Sequence, residues 1–541
     1  MSSSWLRRCG TVGGTAVVGC LGMALAGSGA AAAKAPTGSH STSRAPQARS
    51  AASPRRGGNL TIDTVTPPLD FDIDTTNDNE SIWALENMAE GLYRNAADGK
   101  SVVPWLATGY KVSSNKLVWT FTLRKGVKFS NGQTMTSKDV AWSLNWAAGP
   151  KDVSNNYVDA AIKKVVPDGR YKVKIVTKEP WSPLLADLAM YANDIFPANL
   201  AGETRAKFFQ APIGTGPFKV QRWVKGQYLK LSRNPYYWQR GKPYLDSLTM
   251  QSVSDSNTRI NQLKGGQAQI IEDVPFNLIP SLKQTSGINV GLFKSSRIDY
   301  ITMNELEKPL SNLHVRLAIA HAIDSAAIVK AVFGGYGQTA NSPFMPIMTY
   351  YKAVGLPAYS LSAAKSELAK SPYPHGGFTI KFLAASGDPI QTPVAQIVQS
   401  ELAKLNIHVQ IQTLDPSAVQ AQEQSFHFGM RETYWTNDII DPDEYTSFSL
   451  CGSGKDCGGI YANFTHFNNA EINRLTLQGE RTLAGPARAA IYQKIQKLAA
   501  QQVPMVWLGY SPFAYGYSKA VNGFSVTTQG NVHYEDVWLS K

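Results

Sequence analysis

The feature that most constrains the fold is an alternation of strand-like and helix-like segments, which begins at Gly58 and continues through most of the 541-residue chain. The first strand-like stretch, NLTIDTV, alternates apolar and polar residues. SIWALENMAEGLYR (residues 81–94) then places apolar side chains at helical spacing behind an N-cap serine. Such alternation without a repeat period predicts stacked α/β layers. Because single cores stop growing near roughly 250–300 residues, we expect this chain to form two lobes.

The N-terminus has the composition of an export signal. Arg7 and Arg8 supply positive charge, residues 11–26 are mostly apolar, and the alanines at residues 30–33 offer a cleavage site. We therefore assign residues 1–33 to a signal peptide and expect the mature protein to be exported. Residues 34–57, rich in Ser, Ala, Pro and Arg, lack the apolar surface needed to fold, which predicts a disordered linker.

Cys20 leaves two interpretations of the signal segment open. The tetrapeptide Val17-Val18-Gly19-Cys20 resembles a bacterial lipobox, in which the cysteine is acylated after cleavage and tethers the protein to the membrane. Alternatively, the apolar stretch continues to the alanine cluster and Cys20 is removed with the signal peptide. The protein is then either lipid-anchored at the outer face of the cell membrane or free in the periplasm or the medium. A lipid anchor is the only membrane contact we predict, since no other stretch reaches the ~18 apolar residues of a membrane helix.

The formal net charge of +13 does not indicate a nucleic-acid partner. Seven basic residues and no acid lie within the first 56 residues, so about half of the positive excess belongs to the signal and linker. Nucleic-acid binding requires a concentrated basic face on the folded part of a protein. We therefore predict no nucleic-acid partner.

The two cysteines outside the signal segment, Cys451 and Cys457, stand close together in CGSGKDC. In an oxidising compartment such a pair forms a local disulfide, whereas two sulfurs without a further Cys or His at ligand spacing make a poor zinc site. The chain also lacks the G-x-S-x-G and H-E-x-x-H motifs of hydrolases and has eight histidines. We predict no metal, no cofactor and no enzymatic activity, and we keep an exported hydrolase as the alternative from a different class.

Three longer stretches carry a family resemblance. They are WTFTLRKGVKFSNGQTMTSKDVAWSL (residues 119–144), GTGPFKVQRWVKGQYLKLSRNPYYW (residues 214–238) and PLSNLHVRLAIAHAIDSAAIVKAVFGGYG (residues 309–337). In this order they resemble motifs of the dipeptide/oligopeptide-binding family, family 5, of the solute-binding proteins of bacterial ABC importers. Several ordered motifs over about 480 residues are far more specific than any one of them.

The resemblance implies an α/β, two-lobe fold of the periplasmic-binding-protein type, a type II Venus flytrap with an extra subdomain in lobe I. On this basis lobe I covers residues 58–296 with the subdomain at about 95–210, lobe II covers residues 297–504, and residues 505–541 return to lobe I. The resemblance further implies a monomer that captures peptides and delivers them to the permease subunits of an ABC transporter. Relatives of this architecture also bind oligosaccharides and other small solutes, which remain alternative ligands.

The resemblance also implies a ligand site at the start of YWTNDIIDPDEY (residues 434–445). In peptide-binding members a Trp-x-x-Asp element lies at the cleft, and its Asp pairs with the α-ammonium of the ligand. Trp435 and Asp438 stand at these positions, and a buried ammonium needs such a carboxylate because an unpaired buried charge is costly. Tyr434 and Trp435 would form an apolar wall beside backbone groups that bind the ligand main chain, as in strand addition. The predicted ligand-binding residues are Tyr434, Trp435, Thr436, Asn437 and Asp438 in lobe II, and Asn77, Asp78 and Asn79 in lobe I.

The remaining acids of this stretch, Asp441, Asp443 and Glu444, have a structural explanation. Aspartate is common in turns and at the starts of helices, and we expect these three residues to lie there without contacting the ligand. On this interpretation Asp443→Asn behaves as a surface substitution and changes ligand affinity by less than about 0.5 kcal/mol.

The sequence departs from dipeptide-binding relatives at the position that holds the carboxylate of the ligand. Those proteins carry an arginine near the start of a lobe II helix, but GDPIQTPVAQIVQSELAK (residues 387–404) contains none. Glu432 also stands where some oligopeptide binders place an arginine. We therefore expect a ligand that is longer than a dipeptide, with its carboxylate in solvent, or one that is not a peptide.

Overall fold

Two large β-sheets organise the computed structural model of the protein. The structure describes residues 53–76, 78–96, 98–149, 159, 161–452 and 465–540. The predicted signal peptide with Cys20, and also Asn77 and Cys457, lie outside the described residues. Within the part of the chain that is described, no helix is both long enough and apolar enough to cross a membrane.

Strands and helices alternate along the chain, as the sequence pattern predicts. In chain order the strands are β1 Asn59–Thr64, β2 Tyr93–Asn95, β3 Val102–Pro104, β4 Ala107–Val112, β5 Val118–Leu123, β6 Ile162–Pro167, β7 Lys172–Thr177, β8 Phe218–Val224, β9 Tyr228–Arg233, β10 Ser247–Ser252, β11 Ile270–Ile271, β12 Ile288–Phe293, β13 Arg297–Met303, β14 Gln338–Thr339, β15 Phe378–Ala385, β16 Ile407–Leu414, β17 Met430–Thr436, β18 Met505–Tyr510, β19 Phe513–Ser518, β20 Val521–Asn522 and β21 Trp538–Leu539. The helices are α1 Asn79–Leu85, α2 Ser137–Ala147, α3 Leu184–Asp187, α4 Arg205–Phe208, α5 Ser256–Gly265, α6 Ile279–Lys283, α7 Lys308–Ser311, α8 Leu313–Ala322, α9 Ser325–Ala331, α10 Leu361–Ala369, α11 Gln391–Ala403, α12 Pro416–Gln424, α13 Pro442–Tyr445, α14 Ala470–Arg481 and α15 Pro486–Gln502.

The first sheet has seven strands in the order β12-β19-β11-β1-β10-β9-β8. Strand β1, which the sequence predicts from NLTIDTV, pairs in parallel with β10 and β11. Its apolar residues Leu60 and Ile62 are buried in the core that also contains Leu248 and Ile270, as the alternating pattern requires. We call the part of the molecule built on this sheet lobe I.

A four-stranded antiparallel sheet, in the order β4-β5-β7-β6, has a separate core. Helix α2 packs on it through Val140 and Leu144, against Phe121 and Ile175 of the sheet. A capping box fixes the start of this helix, because the Thr136 side chain accepts from the first turn while Asp139 bonds back to the cap. This sheet lies within the range that the sequence assigns to the extra subdomain.

The second large sheet has six strands in the order β14-β18-β13-β17-β15-β16. Strand β15 runs parallel to β16 and β17, whereas β13 is antiparallel to both of its neighbours. Helices α8 and α11 cover the sheet and share a core with it, to which Ile319, Leu402 and Phe382 contribute. We call the part built on this sheet lobe II.

The chain passes between the two sheets twice. It leaves lobe I between β12 and β13, at residues 294–296, and returns between β18 and β19, at residues 511–512. The sequence placed the return at residue 505, which is too early, because the buried strand β18 pairs with β13 in lobe II. We keep the division into lobes with this second boundary moved to residues 511–512.

Helix α1 is shorter than the sequence predicts and begins earlier. Its N-cap is Asp78, whose side chain accepts the Ser81 N–H, and the helix ends at Leu85 instead of Arg94. Beyond this point the carbonyls of Asn87 and Met88 accept N–H groups from the GTGPF segment, which interrupts the helical hydrogen bonding. A Cβ atom at Gly214 would lie 2.2 Å from the Met88 oxygen, so this close approach requires glycine.

Candidate functional site

Strand β17 presents an open edge to the space between the lobes. It pairs with β13 along its whole length but with β15 only at Met430 and Arg431. In the described part of the chain, residues 432–436 therefore have a neighbouring strand on one side only. An unpaired edge offers backbone N–H and C=O groups to an extended ligand.

A cavity of about 360 Å³ lies next to this edge, between lobe I and lobe II. Six of the eight predicted ligand-binding residues line it, and they come from both lobes. These are Asp78 and Asn79 from lobe I, and Tyr434, Trp435, Thr436 and Asp438 from lobe II. Asn437 does not line the cavity, and Asn77 lies outside the described residues. The Trp-x-x-Asp element and the lobe I segment therefore meet at one cleft.

Asp438 is held by its backbone while its carboxylate remains unbound. Its N–H donates to both carboxylate oxygens of Glu444, at 3.1 and 3.0 Å, and its carbonyl accepts from Asn95 Nδ2 at 2.7 Å. No described residue donates a hydrogen bond to the Asp438 carboxylate. Burial raises the pKa of this carboxyl to about 7. A cation in the cavity would stabilise the ionised form.

Asn437 holds Trp435 in place instead of facing the ligand space, which corrects the expectation that it binds the ligand. Its side-chain oxygen accepts the Trp435 indole N–H at 2.8 Å, and only 2% of the residue is exposed. Its amide nitrogen donates to the carbonyl of Ile439 at 3.1 Å. Trp435 in turn packs on Phe448 with ring centroids 4.3 Å apart. The two aromatic rings form an apolar wall of the cavity.

Tyr434 connects the lobes at the edge of the cavity. Its hydroxyl is hydrogen-bonded to the side chain of Asn79, and burial raises the pKa of Tyr434. The guanidinium of Arg297 lies over its ring, 3.7 Å from the centroid. The predicted lobe I segment thus contacts the predicted lobe II strand directly, which is the arrangement of a closed cleft.

The acids after Asp438 are buried, which corrects the expectation that they lie at the surface. Asp441 caps α13 as predicted, since its Oδ1 accepts the Asp443 N–H at 3.0 Å, but it also binds Arg488 at 2.6 and 2.8 Å. Only 1% of Asp443 is exposed. Glu444, fully buried, holds the backbone of Asp438. The reason is that α13 lies beneath the cavity and packs on α14, where water is excluded.

A second cavity, of about 670 Å³, adjoins the first. Many of its lining residues are apolar, among them Val65, Val274, Phe276, Val332 and Ile390. The two cavities share four lining residues, which are Glu80, Pro416, Arg431 and Tyr434. The space available to a ligand therefore continues past Tyr434.

The start of α11 borders this second cavity without an arginine, as the sequence indicates. Asp388 occupies the helix start and accepts the N–H groups of Ile390 and Gln391 at 2.7 and 3.0 Å. Glu432 is 2% exposed, and burial raises its pKa well above the usual value. Neither residue can bind a carboxylate as an arginine would.

Sequence reasoning missed several residues that line the first cavity. Glu80 directly follows the predicted segment at residues 77–79, and Thr433 lies two residues before Trp435 on the same strand, so both were within reach of the pattern. Met190 and Tyr191 lie in the connection between α3 and α4, and no local sequence pattern predicts that they line a cavity. Thr436 was predicted for its backbone, but its hydroxyl is buried without a hydrogen-bond partner.

Cys451 is disulfide-bonded, whereas Cys457 lies outside the described residues. Among the residues that the structure describes, no group of three or more His, Cys, Asp or Glu side chains could hold a metal ion.

The two sheets, the two passages between them and the cleft between the lobes define a two-lobe solute-binding protein. The family model described as "Bacterial extracellular solute-binding proteins, family 5 Middle" matches residues 101–456, and the chain belongs to this family. The predicted family and the predicted fold class are thus confirmed.

Similar proteins come from several bacteria. The glutathione-binding protein GsiB of Salmonella choleraesuis is 27% identical over 471 residues, which cover 86% of this chain and 91% of that protein. The periplasmic binding protein DppA of Helicobacter pylori, solved in complex with the peptide STSA, has a TM-score of 0.81 at 26% identity, covering 90% and 99% of the two chains. AgaA of A. tumefaciens R10, solved in complex with agropinic acid, has a TM-score of 0.79 at 28% identity, with the same coverage.

Proposed function

We propose that this protein captures peptides outside the cytoplasm and delivers them to the permease of an ABC importer. The observation that carries the proposal is Asp438, which lines the cleft between the lobes and whose carboxylate has no hydrogen-bond donor among the described residues. The α-ammonium of a peptide would neutralise it. The peptide main chain would pair with the open edge at residues 432–436 as an added strand.

Two of the similar proteins support a peptide ligand. GsiB is named for glutathione, and DppA was solved with the peptide STSA bound. DppA is also described as associated with an ABC transporter, which agrees with delivery to a permease. Recognition through the N-terminus and the main chain depends little on ligand side chains, so we expect this protein to accept more than one peptide sequence.

Binding in this account requires no chemical step. Closure of the two lobes removes the ligand from water, which strengthens its contacts with charged groups. The proposal involves no metal and no cofactor. A turnover assay with peptide substrates should therefore recover the peptides intact after prolonged incubation.

A non-peptide solute with a cationic group is the second candidate. The absence of an arginine at the start of α11, where Asp388 stands, removes the group that would hold the carboxylate of a dipeptide. AgaA, of similar fold, was solved in complex with agropinic acid, which supports a ligand other than a peptide. Oligosaccharides would leave the Asp438 carboxylate uncompensated.

A thermal-shift screen tests the proposal and separates the candidates. Unmodified peptides of two to five residues, N-acetylated peptides, neutral oligosaccharides and small amines are each added at excess. A ligand at a hundredfold excess over its Kd should raise the free energy of unfolding by about 2.7 kcal/mol. Stabilisation by unmodified peptides supports the proposal, and stabilisation by sugars alone contradicts it.

We also propose that Cys20 is acylated and that the mature protein is a monomer tethered to the membrane. Cys20→Ser should then release the protein into the medium without changing its ligand affinity. N-terminal sequencing of the wild-type protein checks this proposal. Cleavage at the alanine cluster would remove Cys20 and contradict it. Light scattering on the soluble form measures its mass.

A further inference from the structure

Glu80 occupies the junction of the two cavities and has acidic neighbours. It lines both cavities from lobe I, next to Asp78 and Asn79. Its carboxylate is hydrogen-bonded to Thr66 and is close enough to the buried Glu272 to raise the pKa of that residue; the acids that raise the pKa of Glu80 itself are Asp78 and Asp273. Burial and these two acids raise the pKa of Glu80 to about 8. The site thus concentrates carboxyl groups at the point where a ligand would pass from one cavity to the other, and a cation there would favour their ionised forms.

The arginines that line the second cavity are already bound to other groups. Arg297 binds Asp299 through two nitrogen atoms, each at 2.8 Å. Arg259 donates to the backbone carbonyls of residues 253, 254, 272 and 273. Arg431 is paired with Glu423. Because each guanidinium is engaged elsewhere, a cationic group of the ligand would supply the positive charge that stabilises the ionised form of Glu80.

An independent observation indicates that polar ligand groups enter this space. Thr436 lines the first cavity and carries a buried hydroxyl, and the residue is 7% exposed. This hydroxyl has no hydrogen-bond partner. A buried hydroxyl without a partner is costly, so a ligand that bonds to it is favoured. The cavity therefore has an unsatisfied polar group in addition to its cluster of acids.

We propose that Glu80 binds a second cationic group of the ligand, so that the protein prefers peptides with a lysine or arginine side chain. The inference rests on the proposed function, in which Asp438 takes the α-ammonium. With the first cation at Asp438, the cavity continues along β17 past Tyr434 to Glu80, where a side-chain cation meets Glu80 and Asp273. Selectivity for charge then comes from lobe I, and recognition of the N-terminus comes from lobe II.

The test compares ligands that differ only in the second charge. Isothermal titration calorimetry measures Kd for Ala-Lys-Ala and Ala-norleucine-Ala, and for Ala-Ala-Lys and Ala-Ala-norleucine, at constant ionic strength. Norleucine keeps the carbon chain of lysine and removes the ammonium. In at least one of the two pairs, the wild-type protein should bind the lysine peptide at least tenfold more tightly than its norleucine partner.

Variants assign the preference to Glu80. In Glu80→Gln the lysine-to-norleucine ratio of affinities should fall below threefold. Glu203→Gln, which removes a surface carboxylate paired with Lys207 at 3.1 Å, is the matched control and should keep the wild-type ratio. Asp438→Asn should weaken all four peptides while preserving the ratio. Thermal melts confirm that each variant is folded.

The outcomes separate this inference from the proposed function. A ratio near one for both pairs in the wild-type protein, or an undiminished ratio in Glu80→Gln, overturns the role of Glu80 even when Asp438→Asn weakens binding. If none of the peptides binds, or if Asp438→Asn binds all four as tightly as the wild type, the proposed function fails and this inference fails with it.

Discussion

Glu444 holds the backbone of Asp438 with both of its carboxylate oxygens, which accept the Asp438 N–H at 3.1 and 3.0 Å. One of these oxygens also accepts the Ile439 N–H at 3.0 Å. Burial and the neighbouring Asp438 raise the pKa of Glu444 well above its usual value. The carboxylate that faces the cavity is thus positioned by a second, fully buried acid behind it.

Glu444→Gln should weaken the binding of a peptide with a free N-terminus. Glutamine keeps the volume, but in either orientation its NH2 group faces the Asp438 N–H, donor against donor, so Asp438 becomes less well positioned. We expect a loss of about 1–3 kcal/mol, the usual cost of leaving a buried donor unsatisfied. Calorimetry against the exposed control Glu471→Gln measures this loss. Unchanged affinity in a folded Glu444→Gln protein would remove the positioning role.

One of the three stretches that carry the family resemblance, residues 214–238, converges with Trp105 on one buried carboxylate. Glu90 accepts from Trp105 Nε1 and Thr215 Oγ1 at 2.7 Å each, from Trp238 Nε1 at 3.0 Å and from the Tyr237 hydroxyl at 3.2 Å. Burial raises the pKa of Glu90 to about 7. The GTGPF and NPYYW segments are thereby tied to the segment after α1.

Glu90→Ala should therefore destabilise lobe I. It leaves four buried donors without their acceptor, and each unsatisfied group costs about 1–3 kcal/mol, so we expect a total loss of at least about 3 kcal/mol. Glu90→Gln, which retains an acceptor oxygen, should lose clearly less. Urea denaturation followed by tryptophan fluorescence compares the two variants. Equal stability of Glu90→Ala and the wild type would show that this network contributes nothing.

These motifs show how much of the fold the sequence predicts. The glycines of GTGPF allow the close approach to the segment after α1, and Tyr237 of NPYYW is buried, whereas Tyr236 is 43% exposed. Their common partner, Glu90, could not be predicted, because it stands more than a hundred residues away from them within an apparently helical pattern. The same long-range pairing ends α1 at Leu85, since the carbonyls of Asn87 and Met88 bond to the GTGPF segment.

A carboxyl pair at the contact between lobes should make stability depend on pH. Asp443 is hydrogen-bonded to Glu480, with Asp187 of the other lobe nearby. Burial raises the pKa of Glu480 from 4.5 to about 7, and that of Asp443 well above its usual value. The folded state therefore binds more protons than the unfolded chain in this range. The stabilising contribution of this pair is fully present below about pH 4.5 and is lost as the pH rises towards 7.

Thermal melts of the ligand-free protein between pH 5 and pH 8 at constant ionic strength should show a falling Tm. Glu480→Gln removes one member of the pair and should flatten this dependence, because its amide does not titrate. The exposed Glu471→Gln should leave the slope unchanged. A Tm that rises over this range, or equal slopes in wild type and Glu480→Gln, would contradict the assignment.

For the candidate ligand site, the sequence predicted which segments meet at one cleft better than it predicted the contacts of each side chain. Six of the eight predicted residues line one cavity, because the Trp-x-x-Asp element and the segment before α1 face each other across the lobes. Asn437 was misassigned, since a short polar side chain next to Trp435 can bond to its neighbour as readily as to a ligand. The burial of Asp443 and the ion pair of Asp441 with Arg488 depend on α14 and α15, which follow later in the chain.

Chemical removal of the ligand's positive charge tests the interaction at Asp438 without disturbing the protein. A peptide with a free N-terminus should bind the wild-type protein tightly, and its N-acetylated form should bind more weakly by roughly 2–5 kcal/mol, the effect of truncating one partner of a buried charge pair. Asp438→Asn should lose a similar amount for the free peptide. It should lose little more for the acetylated one.

Isothermal titration of these two peptides into wild type and Asp438→Asn is the most direct measurement, with Asp98→Asn as an exposed control. The double change, acetylated peptide with Asp438→Asn, should reduce the free energy of binding by about as much as either single change. Both single changes remove the same ion pair. Equal binding of free and acetylated peptides by the wild-type protein would contradict it.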